Sequence, residues 1–275
     1  MKNFIVPVDF SPQSLNAAFY AASFAEVAGA SLTLLHVCQA PVAVNEIPVP
    51  DEVIDVMEKD AEKEMNALKS DLLQKTGSRI KIYSEIKEGN LIATLMHAVK
   101  AIQPAAVVMG THGRGNLERL LFGSNTLLAA KNLSCPLIVV PAGAKFQPIK
   151  KIGLASDFRD VINATPADAI KKFIQLLDAR LYILHVSHKD DSQPSAEEIE
   201  QSAWVNEIFN DVHPEFQFIH DDNIEKGLTA FMLSNSIDLL LIVPKTHSFA
   251  DSLLHKTHLK DFILNAQVPL VSIHA

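Results

Sequence analysis

Residues 107–133 read VVMGTHGRGNLERLLFGSNTLLAAKNL, and this stretch decides the fold class. A run of apolar residues ends at Gly110, a glycine-rich loop follows, and a helical pattern begins at Ser124. In open parallel sheets, ligands bind beyond the carboxyl ends of the strands. The stretch therefore predicts an α/β protein with a buried strand, a ligand-facing loop and a helix in that order.

The rest of the first half repeats the alternation of strands and helices. Ser11 and Pro12 have the residue types of a helix N-terminus, and Asn90 has the type of an N-cap. Parallel strands need crossover connections, so this order predicts a doubly wound, Rossmann-like unit: an open, mostly parallel five-stranded sheet with helices on both faces. The predicted strands begin with NFIVPV at 3–8 and LTLLHV at 32–37, and the others are 79–84, 105–110 and 137–141.

The second half of the chain repeats the first. Four landmarks align: 3–12 with 151–160, 32–37 with 181–186, 105–113 with 239–247, and 135–140 with 268–273. The offset falls from 148 to 133, so the second copy is about fifteen residues shorter between its second and fourth strands. We predict two tandem domains, 1–143 and 149–275, that pack as an intramolecular pseudo-dimer. The prediction leaves open whether two chains also associate as a homodimer.

Composition limits the classes of partner. The chain has 275 residues, a net charge of −8 and a pI near 5.7, which disfavours nucleic acid and anionic membranes as partners. Cys38 and Cys135 lack the spacing of a zinc site or a disulfide framework. The apolar run before Asp9 is too short for a signal-peptide core, and we expect a cytoplasmic protein.

The glycine-rich loop suits a phosphate. Gly110, Gly113 and Gly115 let backbone amides approach an anion, and the helix after Gly123 offers free amides at its positive end. Two common phosphate motifs do not fit. Asn116-Leu117 stand where a P-loop needs Lys and Ser or Thr, and Glu118 stands at the third glycine of the dinucleotide motif.

The spacing Gly, two residues, Gly, nine residues, Gly, then Ser resembles the ATP-binding signature of the universal stress protein family. The resemblance extends to VDFS at Asp9, to LLHV and to PLIVVP, and so covers the first half. It implies that Asp9 and Val37 bracket the adenosine and that the glycine loop holds the ribose and phosphates. By the same matching, Met109 and His112 flank the nucleotide, and Asn125 and Thr126 lie near the phosphates. The implied site is Asp9, Val37, Met109, Gly110, His112, Gly113, Gly123, Ser124, Asn125 and Thr126.

The second copy lacks this signature. Pro244 aligns with Gly110, His247 with Gly113, and Lys256-Thr257 with Gly123-Ser124. Side chains at these positions would crowd the phosphates, so we predict a degenerate nucleotide site in the second domain.

Several residues have a plainer interpretation. The glycine loop could be an unliganded connector, and Asp9 could cap the first helix. His36 and His185 are predicted to be hydrogen-bonded core histidines, and we leave both out of the site. His255 and His258 fit a solvated helix face better than a metal site. Arg114 and Arg119 fit phosphate contacts and solvent equally well, and Ser195 is predicted to cap a helix.

Three functions remain compatible with the sequence. The favoured one is an ATP-binding regulator or adaptor in a stress response, with an unknown protein partner and with Mg²⁺ or Mn²⁺ as an optional companion of the ATP. No catalytic or metal-ligating residue is predicted, because no dedicated base for phosphoryl transfer is evident. The alternatives are a slow ATPase or nucleotide hydrolase and a protein-interaction scaffold with a vestigial site.

Overall fold

The computed structural model describes residues 2–38, 51–111, 124–187, 195–244 and 268–274. The chain divides into two compact units: the first ends at Phe146 and the second begins at Gln147. The division falls inside 144–148, the stretch between the two predicted domains. Phe146 belongs to the first unit because its ring stacks on that of Phe24, with centroids 5.4 Å apart.

The first unit is a five-stranded parallel sheet in the order β3-β2-β1-β4-β5. Helices α1 and α2 pack together on one face, and α3 and α4 pack together on the other. The elements are β1 (Asn3–Pro7), α1 (Pro12–Ala28), β2 (Ser31–Cys38), α2 (Asp51–Lys75), β3 (Ile82–Glu88), α3 (Leu91–Ile102), β4 (Ala106–Gly110), α4 (Ser124–Asn132) and β5 (Leu137–Val140).

The second unit repeats this topology, with parallel strands in the order β8-β7-β6-β9-β10. A short 3₁₀ helix, Asn210–Val212, precedes β8. The α/β class and its parallel, Rossmann-like sheets are thus as the sequence predicts. The elements are β6 (Lys151–Ala155), α5 (Val161–Ala164), α6 (Ala167–Leu177), β7 (Arg180–Ser187), α7 (Ala196–Ile208), β8 (Glu215–His220), α8 (Ile224–Asn235), β9 (Leu239–Ile242) and β10 (Leu270–Ser272).

The helix termini form where the capping residues stand. The Ser11 hydroxyl accepts a hydrogen bond from the Ser14 amide, and the Asn90 side chain accepts from the amides of Ile92 and Ala93. Gly29 ends α1 in the left-handed conformation, with φ 60°. None of the described helices is long and apolar enough to cross a membrane.

The predicted third strand was placed too early. Residues 79–81 lie between the strand and the turn at 76–78 that follows α2, and the Arg79 amide and Nε both donate to the Thr76 carbonyl. Arg79 also pairs with Glu26, at 2.7 Å. These contacts hold Arg79 outside the sheet, and the strand starts three residues later, at Ile82.

The length difference between the copies lies mostly in one helix. Helix α2 has 25 residues, and α7, its counterpart after the second strand of the second unit, has 13. Strands β1 and β6 have five residues each, and β2 and β7 have eight each. The first two strands of each sheet therefore keep their lengths while a covering helix changes length.

Candidate functional site

A cavity of about 590 Å³ opens at the carboxyl ends of β1, β2 and β4 in the first unit. Residues at the ends of these strands line the cavity, as expected for a parallel sheet whose ligand site lies at the strand ends. His112, Gly113 and Gly123 lie outside the described residues, as does the side chain of Ser124, which opens α4. The predicted site residues that line the cavity are Asp9, Val37, Met109, Gly110, Asn125 and Thr126.

Asp9 is exposed at the cavity wall and is held by the turn that leads into α1. Its Oδ1 accepts hydrogen bonds from the Ser11 hydroxyl, at 2.6 Å, and from the Ser11 amide, at 3.1 Å. Desolvation raises the pKa of Asp9, but the hydrogen bonds from Ser11 and Ser14 outweigh it, and the pKa is lowered overall. Asp9 therefore presents a carboxylate to the cavity. The alternative that Asp9 caps α1 is wrong, because Ser11 is the cap.

The end of β4 contacts α1 and α4 through Gly110 and Thr126. The Thr126 hydroxyl donates to the Gly110 carbonyl at 3.3 Å, and the threonine is 3% exposed. A Cβ on Gly110 would overlap the Gln13 carbonyl oxygen and lie 2.9 Å from its carbonyl carbon. Helix α1 therefore packs directly against the end of β4, and a side chain at position 110 would separate them.

Sequence reasoning missed two side chains that line this cavity, Phe10 and His36. Nδ1 of His36 lies 2.7 Å from the Val8 carbonyl oxygen, and the two rings are 4.8 Å apart. The prediction that His36 is hydrogen-bonded is confirmed, but the residue is only half-buried and lines the cavity. The signal was present in the alignment, because DF and LHV recur in both halves.

Helix α2 supplies a wall of the cavity that no motif marked. Met57, Asp60, Ala61 and Glu64 occupy one helical face, with the spacing i, i+3, i+4, i+7. Their spacing predicts a shared face but not that this face meets the strand ends. The carboxylates of Asp60 and Glu64 add to that of Asp9, so the wall near β1 and β2 is acidic.

The second unit has a smaller cavity, of about 390 Å³, at the ends of β6, β7 and β8. His185 is 5% exposed and fully engaged: Nδ1 lies 3.0 Å from the Ser156 carbonyl oxygen and Nε2 lies 3.1 Å from Glu198 Oε1. The prediction of a hydrogen-bonded core histidine is confirmed here. The carboxylates lining the cavity are Asp157, Glu197, Glu198, Asp221 and Asp222.

Glu198 is fixed by the start of α7. Its Oε2 accepts from the Ser195 amide at 2.7 Å, while the Ser195 hydroxyl accepts from the Glu198 amide, so the two residues form a capping box. The Ser195 amide, and after it the nearby His185, lower the pKa of Glu198 and keep it ionised. The predicted cap at Ser195 is confirmed.

Metal-binding geometry is missing from the described ranges: no three His, Cys, Asp or Glu side chains there are grouped to hold an ion. His255 and His258, together with Arg114 and Arg119, lie outside the described residues. The interpretation of these four side chains stays a prediction.

Comparison with known proteins identifies the family. The universal stress protein family model matches residues 1–141. A universal stress protein of Methanocaldococcus jannaschii is 30% identical over 139 residues, covering 50% of this chain and 81% of that protein. Another, of Mycolicibacterium smegmatis, is 33% identical over 142 residues, covering 50% of this chain and 47% of that protein.

The fold also has a solved counterpart over the whole chain. A universal stress protein structure from Archaeoglobus fulgidus has a TM-score of 0.74 and 17% identity, and the match covers 99% of this chain and 98% of that chain. The family model spans the unit whose strand ends form the larger cavity. The chain belongs to the universal stress protein family.

Proposed function

We propose that the chain binds one ATP, in the first unit, and acts as a nucleotide-dependent regulator or adaptor in a stress response. One observation carries the proposal: a single cavity brings Asp9, Val37, Met109 and Gly110 to the N-terminus of α4. Its volume of about 590 Å³ lies within the usual range for small-molecule sites, about 300–1,000 Å³.

The charge distribution supports one orientation of the nucleotide. The acidic wall of Asp9, Asp60 and Glu64 would repel phosphates and suits the uncharged nucleoside. The N-terminus of α4 carries free amides and the positive end of the helix dipole, which suits the phosphates. The adenine would lie between the apolar side chains of Val37 and Met109, and the phosphates would extend toward Asn125 and residues 112–123.

Binding without efficient turnover fits the side chains present. Phosphoryl transfer needs cations that neutralise the developing charge. The cavity wall contains no lysine or arginine among the residues that the structure describes. No three His, Cys, Asp or Glu side chains of the described residues are grouped to hold an ion, so an accompanying Mg²⁺ or Mn²⁺ would be held mainly through phosphate oxygens and water.

Calorimetric titration with MgATP tests the proposal. We expect one site per chain for the wild type and loss of binding in Gly113→Val, because a branched side chain would occupy the phosphate path. The matched control is His247→Val, at the aligned position of the second copy, which should bind ATP normally.

Absence of wild-type binding would overturn the proposal, and two sites per chain would overturn the assignment to the first unit. Phosphate release measured on the same samples separates a regulator from an ATPase. Turnover near 1 s⁻¹ or faster, the lower end of ordinary enzyme rates, would favour the ATPase.

A further inference from the structure

Both units contain the same arrangement of a phenylalanine and a histidine. In the first unit, Phe10 follows Asp9 in a left-handed backbone conformation, with φ 60°. This turn lays the ring on His36, whose Nδ1 contacts the carbonyl of Val8, two residues before the phenylalanine. Residues other than glycine rarely adopt this conformation, because the Cβ crowds the backbone. The turn is therefore held by the packing of its side chain.

The second unit reproduces each part of this arrangement. Phe158 has φ 50°, its ring stacks on His185 with centroids 4.6 Å apart, and Nδ1 of His185 contacts the Ser156 carbonyl. Phe158 again follows an aspartate, Asp157. In both units, therefore, Nδ1 of the histidine faces a backbone carbonyl and Nε2 faces away from it.

The hydrogen bond at Nδ1 determines what the other ring nitrogen can do. A carbonyl oxygen only accepts, so Nδ1 of His36 must carry the proton that it donates to Val8. In the neutral ring, Nε2 then has an unshared electron pair and accepts a hydrogen bond. Protonation of the ring would convert Nε2 into a donor.

The two units differ at Nε2. In the second unit, Nε2 of His185 meets Glu198, and both residues line the cavity. In the first unit, no side chain in the described part of the chain makes a hydrogen bond to Nε2 of His36, and His36 lines the larger cavity. The corresponding nitrogen is thus occupied by a protein carboxylate in one copy and directed at the ligand space in the other.

We infer that Nε2 of His36 is a ligand-binding atom that accepts a hydrogen bond from the nucleoside, either a ribose hydroxyl or the amino group of the base. This inference rests on the proposed nucleotide site. Its consequence is regulation by pH, because only the neutral ring can accept this bond. Affinity is therefore full when His36 is neutral and falls as the pH drops and the ring takes up a proton.

The surroundings of His36 favour this loss of affinity in acid. A protonated ring would be attracted to the carboxylates of the cavity wall, as His185 is paired with Glu198 in the second unit. The titratable groups that line the cavity with His36 are Asp9 after β1, Cys38 on β2, and Asp60 and Glu64 on α2. Glu58 on α2 and Glu88 on β3 lie beside Cys38, two residues further along β2.

His36→Asn separates the two roles of the ring. The asparagine amide can replace Nδ1–H in the bond to Val8, but it has no group at the position of Nε2. We expect the variant to bind MgATP about three- to tenfold more weakly than the wild type at pH 8, the usual value of one hydrogen bond. At pH 5.5 the ratio of the two affinities should be closer to one, since a protonated Nε2 cannot accept the bond. The ligand's own titration cancels in the ratio.

The matched control is His185→Asn, the same substitution at the aligned position of the second unit, which should leave ATP affinity unchanged at both pH values. A second measurement uses the wild type alone. In ¹H–¹⁵N spectra of the histidine rings, adding ATP should change the ¹⁵N chemical shift of Nε2 of His36. The changed shift should be that of an unprotonated ring nitrogen that accepts a hydrogen bond. This readout stands even if the variant does not fold.

Several results would overturn the inference. Equal affinity of wild type and His36→Asn at pH 8 would do so, as would a ratio that grows in acid, which would mean that Nε2–H donates to a phosphate. A similar loss in His185→Asn would show a general effect of the substitution. If the wild type binds no ATP at either pH, the proposed function fails, and this inference fails with it.

Discussion

Gly110 has two separate reasons to be a glycine. The spacing of the loop gives one, because a backbone amide must come close to a phosphate. The structure gives the other, because the first turn of α1 lies where a Cβ would be, with Gln13 as the neighbour. Since the obstacle is helix backbone, a rotamer change cannot relieve it. Substitution here should therefore affect folding as well as binding.

We predict that Gly110→Ala lowers the free energy of unfolding by about 1–3 kcal/mol, the usual cost of overpacking a buried contact. Gly153→Ala is the comparison, because there the closest atom to a new Cβ is the tip of the Leu184 side chain, at 2.7 Å. A side chain can shift, so the loss should be smaller. Urea denaturation followed by circular dichroism measures both. An equal or smaller loss in Gly110→Ala would mean that α1 can move away from β4.

The candidate site could be predicted from the sequence only in part. Residues that directly follow a strand, such as Asp9 and Gly110, are found from the strand pattern, because parallel strands end at one edge. His36 was assigned to the core because its neighbours in LLHV are apolar. In the structure it lines the cavity beside Phe10, which adopts a left-handed turn that a phenylalanine does not predict.

At the scale of elements, the sequence predicted the cores of strands and helices better than the sheet edge. Strand β1, buried along most of its length, and the start of helix α1 after Ser11 lie where predicted. Strand β3 is an edge strand that pairs only with β2 among the described strands, and most of its residues are exposed or half-buried. With little buried apolar pattern, its start could not be located from periodicity. The turn contacts of Arg79 determine it instead.

The start of α7 gives a prediction about an element. Ser195→Ala removes the capping hydroxyl and loosens Glu198, which also bonds His185, so we expect a loss of about 1 kcal/mol or more. Ser234→Ala in α8 is the matched control. Its hydroxyl bonds the Ala230 carbonyl one turn back, and alanine is the better helix former, so stability should hardly change.

Trp204 makes this test specific to one unit. It is the only tryptophan of the chain and lies in α7, so its fluorescence during urea denaturation reports on the helix concerned. Equal midpoints for Ser195→Ala and the wild type would show that the capping box adds nothing to the stability of the second unit.

Across the whole molecule, the two copies keep one fold and differ in the chemistry of their strand ends. The first unit joins its acidic wall to a glycine-containing strand end and a helix N-terminus, which suits a ligand that is neutral at one end and anionic at the other. In the second unit, carboxylates line a smaller cavity, and one of them, Glu198, is hydrogen-bonded to His185. The fold could be predicted from the duplicated landmarks. The second cavity could not, because Glu198 enters it from a helix of altered length.

This difference predicts that ATP stabilises the two units unequally. Nucleotide at 100 times its Kd adds about 2.7 kcal/mol to the free energy of any opening that requires the nucleotide to dissociate first. Amide exchange through that opening then slows about a hundredfold. We expect hydrogen–deuterium exchange to slow in β1, β2, β4 and α4 and to stay unchanged in the aligned segments β6, β7 and β9. Gly113→Val with ATP serves as the control and should show no slowing in either unit. Equal protection of β6 and β1 in the wild type would contradict a single site in the first unit, since a ligand slows exchange where its binding opposes the opening.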